Sequence, residues 1–278
     1  MTRHQDSGLA WNARRGNVWV DLQPTLDRLF LPFEHVLTDA ALARDVGRVL
    51  DIGCGTGATT VAIANRLGPH GECTGIDVSE AMLNLARQRA IAEGAPNARF
   101  LVGDAERHRF PPNAFDAVVS RFGVMFFDDP AAAFANIGNA VRPGGALTWL
   151  AWRSREENPF MTAAERATGH LLRSSNQPAR EAPGPFALAN PDRVSQLLTV
   201  AGWRDVQVGA LNVSCTLPKA ELTVYTHRMG PVGMVLPNLD PALQRKVIAT
   251  LEDAFAEFLV DDIAKFNAAC WVIRARAG

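Results

Sequence analysis

Residues 48–57 read Arg48-Val49-Leu50-Asp51-Ile52-Gly53-Cys54-Gly55-Thr56-Gly57, a short apolar strand that breaks into three alternating glycines. Twenty positions after the last glycine, a second apolar strand (Cys73, Thr74, Gly75, Ile76) ends on another acid, Asp77. Glycines at such a turn let the backbone approach a ligand closely, and a helix N-terminus follows at once. An acid at the end of the next strand is placed to accept hydrogen bonds from the two hydroxyls of a ribose. The pair predicts a nucleoside-cofactor site at the mouth of an α/β sheet.

The chemistry of the turn narrows the cofactor. A dinucleotide fingerprint would space its glycines Gly-x-Gly-x-x-Gly, whereas here the order is Gly53-x-Gly55-x-Gly57. The carboxylate of Asp51 at the start of the loop suits no pyrophosphate. It suits a cofactor that carries an ammonium and a sulfonium, and S-adenosylmethionine has both and no phosphate.

Outward from the turn, residues 48–152 alternate strand and helix with short loops, the pattern of parallel strands joined by crossover helices. Strands are expected at 48–51, 73–77, 99–102, 115–120 and 146–152. Ser79 is placed to cap the helix after the second strand, and Asp129-Pro130 to open the helix after the fourth. Beyond Trp152 the regularity weakens. Helices are expected at 159–173, 191–201, 219–229 and 241–259, a long loop or lid at 174–190, and strands at 205–213 and 269–275. The first 45 residues read as an amphipathic helical cap, with Leu22, Leu26, Leu29, Phe30, Phe33, Val36 and Leu37 as its apolar face.

Within 46–152 the chain resembles the class I S-adenosylmethionine-dependent methyltransferases, and among them the small-molecule group that includes ubiquinone and menaquinone biosynthesis C-methyltransferases. Four motifs in order carry the resemblance: Val49 to Gly57, the acid Asp77 with Val78 and Met82 after it, Gly103-Asp104-Ala105, and Phe115 to Arg121. The resemblance implies an α/β, Rossmann-like fold with a seven-stranded, mostly parallel sheet in the order 3-2-1-4-5-7-6, strand seven antiparallel. It implies a cap at 1–45 and a methyltransferase domain at 46–278, with lid insertions near 156–203 and 216–265. It also implies site roles. The loop of Gly53, Cys54, Gly55 and Gly57, with Asp51, lies around the methionine moiety. Asp77 takes the ribose hydroxyls, Val78 and Met82 flank the adenine, and Asp104 beside Ala105 receives the adenine amino group. The cofactor is S-adenosylmethionine and the product S-adenosylhomocysteine.

Arg121, just past strand four, is expected to pair either with the cofactor carboxylate or with a neighbouring acid. Trp11, Phe126, Trp152 and His227 are the residues expected to line a substrate pocket, although packing of the cap is an equal reading for the tryptophan of the N-terminal segment. Among six histidines, His35, His170 and His227 fall in cap and lid, and His227 is the one candidate base. Asp128-Asp129 reads as a helix cap before Pro130 in preference to a metal pair, so no metal is expected.

Composition bounds the function. The net charge of −1 argues against nucleic acid as a partner. The Asn/Asp-Pro-Pro-Tyr element of enzymes that methylate base amines or glutamine amides is absent after Ser120, where Arg121-Phe122-Gly123-Val124-Met125-Phe126-Phe127 stands instead. The four cysteines show neither metal-ligand spacing nor a disulfide framework. No apolar run approaches membrane-spanning length, and the protein is expected to be cytoplasmic. The expected acceptor is a small, apolar or aromatic molecule, methylated by in-line displacement. Assembly as a homodimer is left open. The rival functions are a non-catalytic cofactor-binding or regulatory protein, a nucleic-acid or protein methyltransferase, and a nicotinamide-dependent oxidoreductase.

Overall fold

The computed structural model describes residues 16–42, 46–172 and 183–278. Among the described residues, helices α1 (Gly16–Asp21) and α2 (Gln23–Ala41) precede the sheet. The predicted alternation then follows: β1 (Arg48–Ile52), α3 (Ala58–Leu67), β2 (Glu72–Asp77), α4 (Glu80–Ala92), β3 (Ala98–Val102), β4 (Phe115–Arg121), α5 (Pro130–Ala140) and β5 (Val141–Trp152). The second half contains α6 (Pro159–Leu172), α7 (Pro191–Val200), β6 (Arg204–Pro218), α8 (Lys219–Arg228), α9 (Gly230–Val235), α10 (Pro241–Ala256), β7 (Leu259–Val260) and β8 (Ile263–Arg276).

The strands form one sheet in the order β3-β2-β1-β4-β5-β8-β6, with β7 paired only to β8. The five strands from β3 to β5 run parallel, and β8 lies antiparallel to both β5 and β6. This is the expected order, with β6 and β8 as its sixth and seventh strands. The strand count is corrected from seven to eight, because β7 folds back on the start of β8 as a two-residue pairing. The expected strands 205–213 and 269–275 also prove too short. Pairing continues from Arg204↔Arg276 to Pro218↔Ile263, because β6 and β8 support each other beyond the edge of the rest of the sheet. Polar residues such as Ser214, Thr216, Lys265 and Asn267 interrupt the apolar signal there and face solvent.

Side chains alternate along β5, which shows how the two faces are covered. Trp149 is fully buried against Phe134 of α5, ring centroids 4.8 Å apart, and against Trp203, whose indole donates to the Phe134 carbonyl at 3.0 Å. Trp152, three positions on, points to the other face. There it meets Phe30 and Phe33 of α2 at 6.3 and 5.9 Å. The apolar stripe expected of the cap is the one that α2 buries: Leu26, Leu29, Phe30, Phe33 and Leu37 are all buried. α2 lies across β4, β5 and β6 and against α3, so it roofs the C-terminal ends of the strands. Helix α8 is tied to both α1 and α2 by ion pairs. Arg28 pairs with Glu221 of α8 at 3.3 Å, and Asp21 pairs with Arg228.

At the opposite end of the sheet Asp116, although part of the fourth motif, has a structural role. Its carboxylate accepts from the amides of Gly47 and Arg48 at 2.9 and 2.8 Å and fixes the entry into β1. A surface hollow of about 520 Å³ nearby is lined by Arg48, His70, Glu72 and Arg99. It lies at the N-terminal ends of β1 and β2, away from the crevice where parallel sheets bind ligands.

Candidate cofactor site

The site begins where β1 ends. Gly53, Gly55 and Gly57 all adopt positive φ, at 66°, 55° and 81°. Side-chain-bearing residues are strained in this region, so the glycine spacing is a backbone requirement. The loop is held from below by the next strand, since the amides of Gly53 and Cys54 donate to the Ile76 carbonyl at 2.9 and 3.2 Å. Gly57 caps α3, whose first turn is buried and brings Thr60 beneath the loop. At Gly53 a Cβ would fall 2.8 Å from Gly123 Cα, so the loop and the turn after β4 touch backbone to backbone. At Gly55 a Cβ would point into space bounded by the Met82 thioether at 3.8 Å. Gly55 is therefore the position where the loop presents its backbone.

Two carboxylates meet the loop. Asp77, at the tip of β2, accepts from the Gly55 amide at 2.9 Å through Oδ2 and from the Ser79 amide at 2.8 Å through Oδ1. With the amide of Val78 as a third donor, the carboxylate keeps acceptor capacity for a ligand donor. Burial raises its pKa, and these amides together with that of Val78 oppose the rise. Asp51 is buried deeper, with 1% of its surface exposed. Its Oδ2 accepts from Thr60 Oγ1 at 2.7 Å. Burial pushes its pKa up to about 7; Thr60 and Arg121 pull against this, and the charges of Asp77 and Glu34 add to it.

Arg121 completes the polar set from the tip of β4. Its guanidinium carbon lies 5.7 Å from the Phe30 ring centroid, beneath α2. Nη1 is buried and has no hydrogen-bond partner among the described residues. Burial lowers the Arg121 pKa, while Glu34, Asp27 and Asp51 act to hold its charge. Of the two expected pairings for Arg121, the one with a neighbouring acid is not made by Nη1.

The chain then turns sharply. Phe122 takes the left-handed conformation, with φ at 64°, unusual for an aromatic residue. The turn places its ring on Trp152, 4.2 Å between centroids and 6° between planes, with Phe33 edge-on at 5.1 Å. Ser120 locks the turn to the loop: its hydroxyl donates to the Ile52 carbonyl at 2.8 Å and accepts from the Gly123 amide at 3.2 Å.

The fold thus brings Gly53, Cys54, Gly55 and Asp77 into contact, with Met82 next to Gly55 and Arg121 and Asp77 near enough to act on the charge of Asp51, whereas Gly57 faces Ala86 and Phe100. Val78 is half-buried beside Asp77. Asp104 stands at the end of β3, which Gly103 ties to β2 by donating to the Asp77 carbonyl at 2.9 Å. Its own side chain is exposed and caps a turn, accepting from the Glu106 amide at 2.9 Å; Ala105 beside it is buried. Trp152 is part of the aromatic cluster with Phe30, Phe33 and Phe122, and Phe126 is half-buried in the turn after β4. His227 lies elsewhere, in α8, and Trp11 falls outside the described residues. Asp129 caps α5, accepting from the Ala132 amide at 3.0 Å, and no metal-binding group occurs among the described residues.

Sequence reasoning missed Thr60, Glu34, Phe30 and Phe122. Thr60 had a signal, since it falls in the first turn of the helix that the glycine loop opens. Phe122 had a fainter one in the Phe-Gly pair that ends β4. Glu34 and Phe30 reach the site only through the docking of α2, which no local pattern encodes.

S-adenosylmethionine fits these residues. The orphaned Arg121 Nη1 answers a carboxylate, buried Asp51 answers an ammonium, and the remaining lone pairs of Asp77 answer ribose hydroxyls.

Residues 49–145 match the family model of a methyltransferase domain. Aklanonic acid methyltransferase DauC of Streptomyces sp. (strain C5) is 36% identical over 129 residues, covering 45% of this chain and 59% of that protein. Demethylmenaquinone methyltransferase of Staphylococcus aureus (strain JH9) is 33% identical over 141 residues, 48% of this chain and 58% of that protein. The chain thus spans less than two thirds of the length of either relative. Among solved structures, phosphoethanolamine N-methyltransferase 2 of Haemonchus contortus, in complex with phosphomonomethylethanolamine and S-adenosylhomocysteine, superposes with a TM-score of 0.54 at 19% identity. The match covers 88% of this chain and 52% of that one. At that identity the likeness is one of fold.

Proposed function

We propose that this chain transfers a methyl group from S-adenosylmethionine to a small apolar or aromatic acceptor, a reading supported by the match of residues 49–145 to the family model of a methyltransferase domain. The observation that carries the reading is the closure of the glycine loop on Asp77, where the Gly55 amide donates to the carboxylate at 2.9 Å. That contact sets the loop backbone, the ribose-binding acid and buried Asp51 around one ligand. The carboxylate of Asp51 beside the loop disfavours the negative charge of the pyrophosphate that a dinucleotide would bring.

When bound, the cofactor supplies a sulfonium methyl whose leaving group is a neutral thioether. Its methyl carbon would be bonded by an acceptor lone pair or ring π pair as the S–CH₃ bond breaks with its electrons going to sulfur. The acceptor then releases a proton to solvent or to a base. The residues of this chain bind, align and exclude water. Asp77 and Arg121 grip the two ends of the cofactor. α2 and the aromatic cluster of Phe30, Phe33, Phe122 and Trp152 roof the reacting end, which favours an apolar or aromatic partner. In this reading 1–45 acts as a cap on a 46–278 catalytic domain with lids near 156–203 and 216–265.

The test is a pair of titrations by calorimetry, one with S-adenosylhomocysteine and one with NAD. Micromolar or tighter binding of the first and none of the second is expected; the reverse overturns the assignment. Methyl incorporation from labelled donor into a panel of phenols, quinols and amines then separates an enzyme from a non-catalytic binder.

A further inference from the structure

Helix α2 carries Asp27, Phe30 and Glu34 at spacings of three and four, so the three share one face. That face looks onto the cofactor site. The Phe30 ring covers the Arg121 guanidinium carbon at 5.7 Å, and α2 packs on β4, which carries Arg121, and on α3, which the glycine loop opens. The two acids of this face fare differently. Asp27 pairs with Arg89 of α4 and accepts from Gln23. Glu34 is half-buried, yet among the described residues its carboxylate makes neither ion pair nor hydrogen bond. Burial raises its pKa and Asp27 adds to the rise, while Arg121 first, then Arg89 and His35, oppose it. An unpaired carboxylate in such a place carries a desolvation cost that no described residue returns.

The neighbours of Glu34 show what would pair with it. Asp51, at the end of β1, lies within range of the charges of both Glu34 and Arg121. Arg121 is opposite in charge to both acids, but among the described residues it forms an ion pair with neither, and its Nη1 is orphaned. The fold therefore holds two acids and one cation apart beside a loop whose backbone, at Gly55, faces open space. The Glu34 carboxylate oxygens keep accessible surface, so a ligand reaches them without displacing the chain.

We propose that Glu34 is a cofactor-binding residue, its carboxylate taking the α-ammonium of S-adenosylmethionine from the side of α2 while Asp51 takes it from the side of the glycine loop. The proposal rests on the methyl-transfer reading above for the identity of the ligand. An ammonium offers three donors and no acceptor, which suits two carboxylates. Its charge also repays the burial of both acids, as no neutral group would. A cation held between Glu34 and Asp51 ties α2 to the loop, so the roof is fastened by the ligand that it covers.

The test compares S-adenosylhomocysteine with its desamino analogue, in which hydrogen replaces the ammonium, by calorimetry on the full chain. Wild type is expected to bind S-adenosylhomocysteine at least tenfold more tightly than the analogue. Glu34→Gln keeps the size of the side chain and removes its charge. It should weaken S-adenosylhomocysteine about tenfold and leave the analogue within about twofold, with the melting temperature unchanged or raised. Asp27→Asn, on the same face but already paired with Arg89, should lower the melting temperature and keep the wild-type ratio of the two affinities. A Glu34→Gln variant that weakens both ligands equally, or neither, overturns the proposal, because a residue that only supports α2 would not tell them apart. Wild type alone gives a second reading. At pH 6 the binding enthalpy of S-adenosylhomocysteine should depend on buffer ionisation more strongly than that of the analogue, and equal dependence overturns the proposal too. Failure of S-adenosylhomocysteine to bind wild type at all would instead overturn the methyl-transfer reading, and the role of Glu34 with it.

Discussion

The backbone amide of Gly55 donates to the carboxylate of Asp77 at 2.9 Å, joining the turn after β1 to the tip of β2 before any ligand is considered. Under the proposed function the acid has two duties, holding the loop and receiving a ribose, and substitutions can separate them. Asp77→Asn can retain one acceptor oxygen, whereas Asp77→Ala retains neither. Asp77→Ala is expected to weaken S-adenosylhomocysteine binding by about 1–3 kcal/mol, roughly 5- to 150-fold, with Asp77→Asn in between. Calorimetric affinities unchanged in both variants would show that the tip of β2 is not in the site.

Asp51 makes stability and binding depend on pH. Its folded-state pKa is raised from 3.8 to about 7, so between those values the native state holds a proton that the unfolded chain has lost. Stability from this group is greatest below pH 3.8 and is lost as pH rises through 7. Glu34 and Asp77 are shifted in the same direction, both chiefly by burial, so they add to the slope. Urea melts between pH 5 and 8 should show wild-type stability falling with pH, and Asp51→Asn should fall less. A wild-type profile that rises over this range would refute the buried-acid assignment.

The same acid predicts proton release on binding. A cofactor ammonium next to Asp51 favours its ionised form, so below pH 7 binding should expel a proton and tighten as pH rises. Titrations of S-adenosylhomocysteine at pH 6 in buffers of different ionisation enthalpy measure this directly. Apparent enthalpies that do not vary with buffer would place the ammonium elsewhere.

Arg121 separates binding from folding. A buried guanidinium with an orphaned Nη1 contributes little to stability, because its desolvation is not repaid by a full set of partners. Arg121→Met is expected to leave the melting temperature unchanged or raised, yet to weaken S-adenosylhomocysteine binding at least tenfold through loss of the carboxylate's partner. A variant that loses stability and keeps its affinity would make Arg121 a structural residue.

Two glycines should respond in opposite directions to alanine. At Gly123 a Cβ would meet the Ile52 carbonyl oxygen at 2.6 Å and Gly53 Cα at 2.9 Å, both backbone, so Gly123→Ala must push the β4 turn off the loop. A loss of about 1–3 kcal/mol in stability is expected, with impaired cofactor binding. At Gly169, inside α6, a Cβ would meet nothing within 4 Å. Gly169→Ala should stabilise by about 0.5–1 kcal/mol through helix propensity. Thermal melts of the two variants check both signs.

Much of the cofactor site is legible in the chain because its determinants are local. Positive φ at Gly53, Gly55 and Gly57, the Ser79 and Asp129 caps, and the acids at strand ends each depend on residues within a turn or two. The sheet order followed from a family resemblance, and the extra strand β7 was invisible because two residues carry no periodicity. The exposed ends of β6 and β8 were missed for a related reason, since they are strands by pairing with each other and not by apolar pattern.

By itself, then, the sequence determined the strand-turn-helix units, the loop that must come close to a ligand and the acids that face it, since backbone conformation and capping are short-range. Only the tertiary structure decided how the site is roofed. It brought Phe30 and Glu34 over Arg121, turned Phe122 onto Trp152, and placed His227 in α8, facing α1. Those placements come from burying the apolar stripe of α2 on the sheet. Hydrophobic burial rewards area removed from water without specifying which distant residues meet, so the partners emerge only when the whole chain packs.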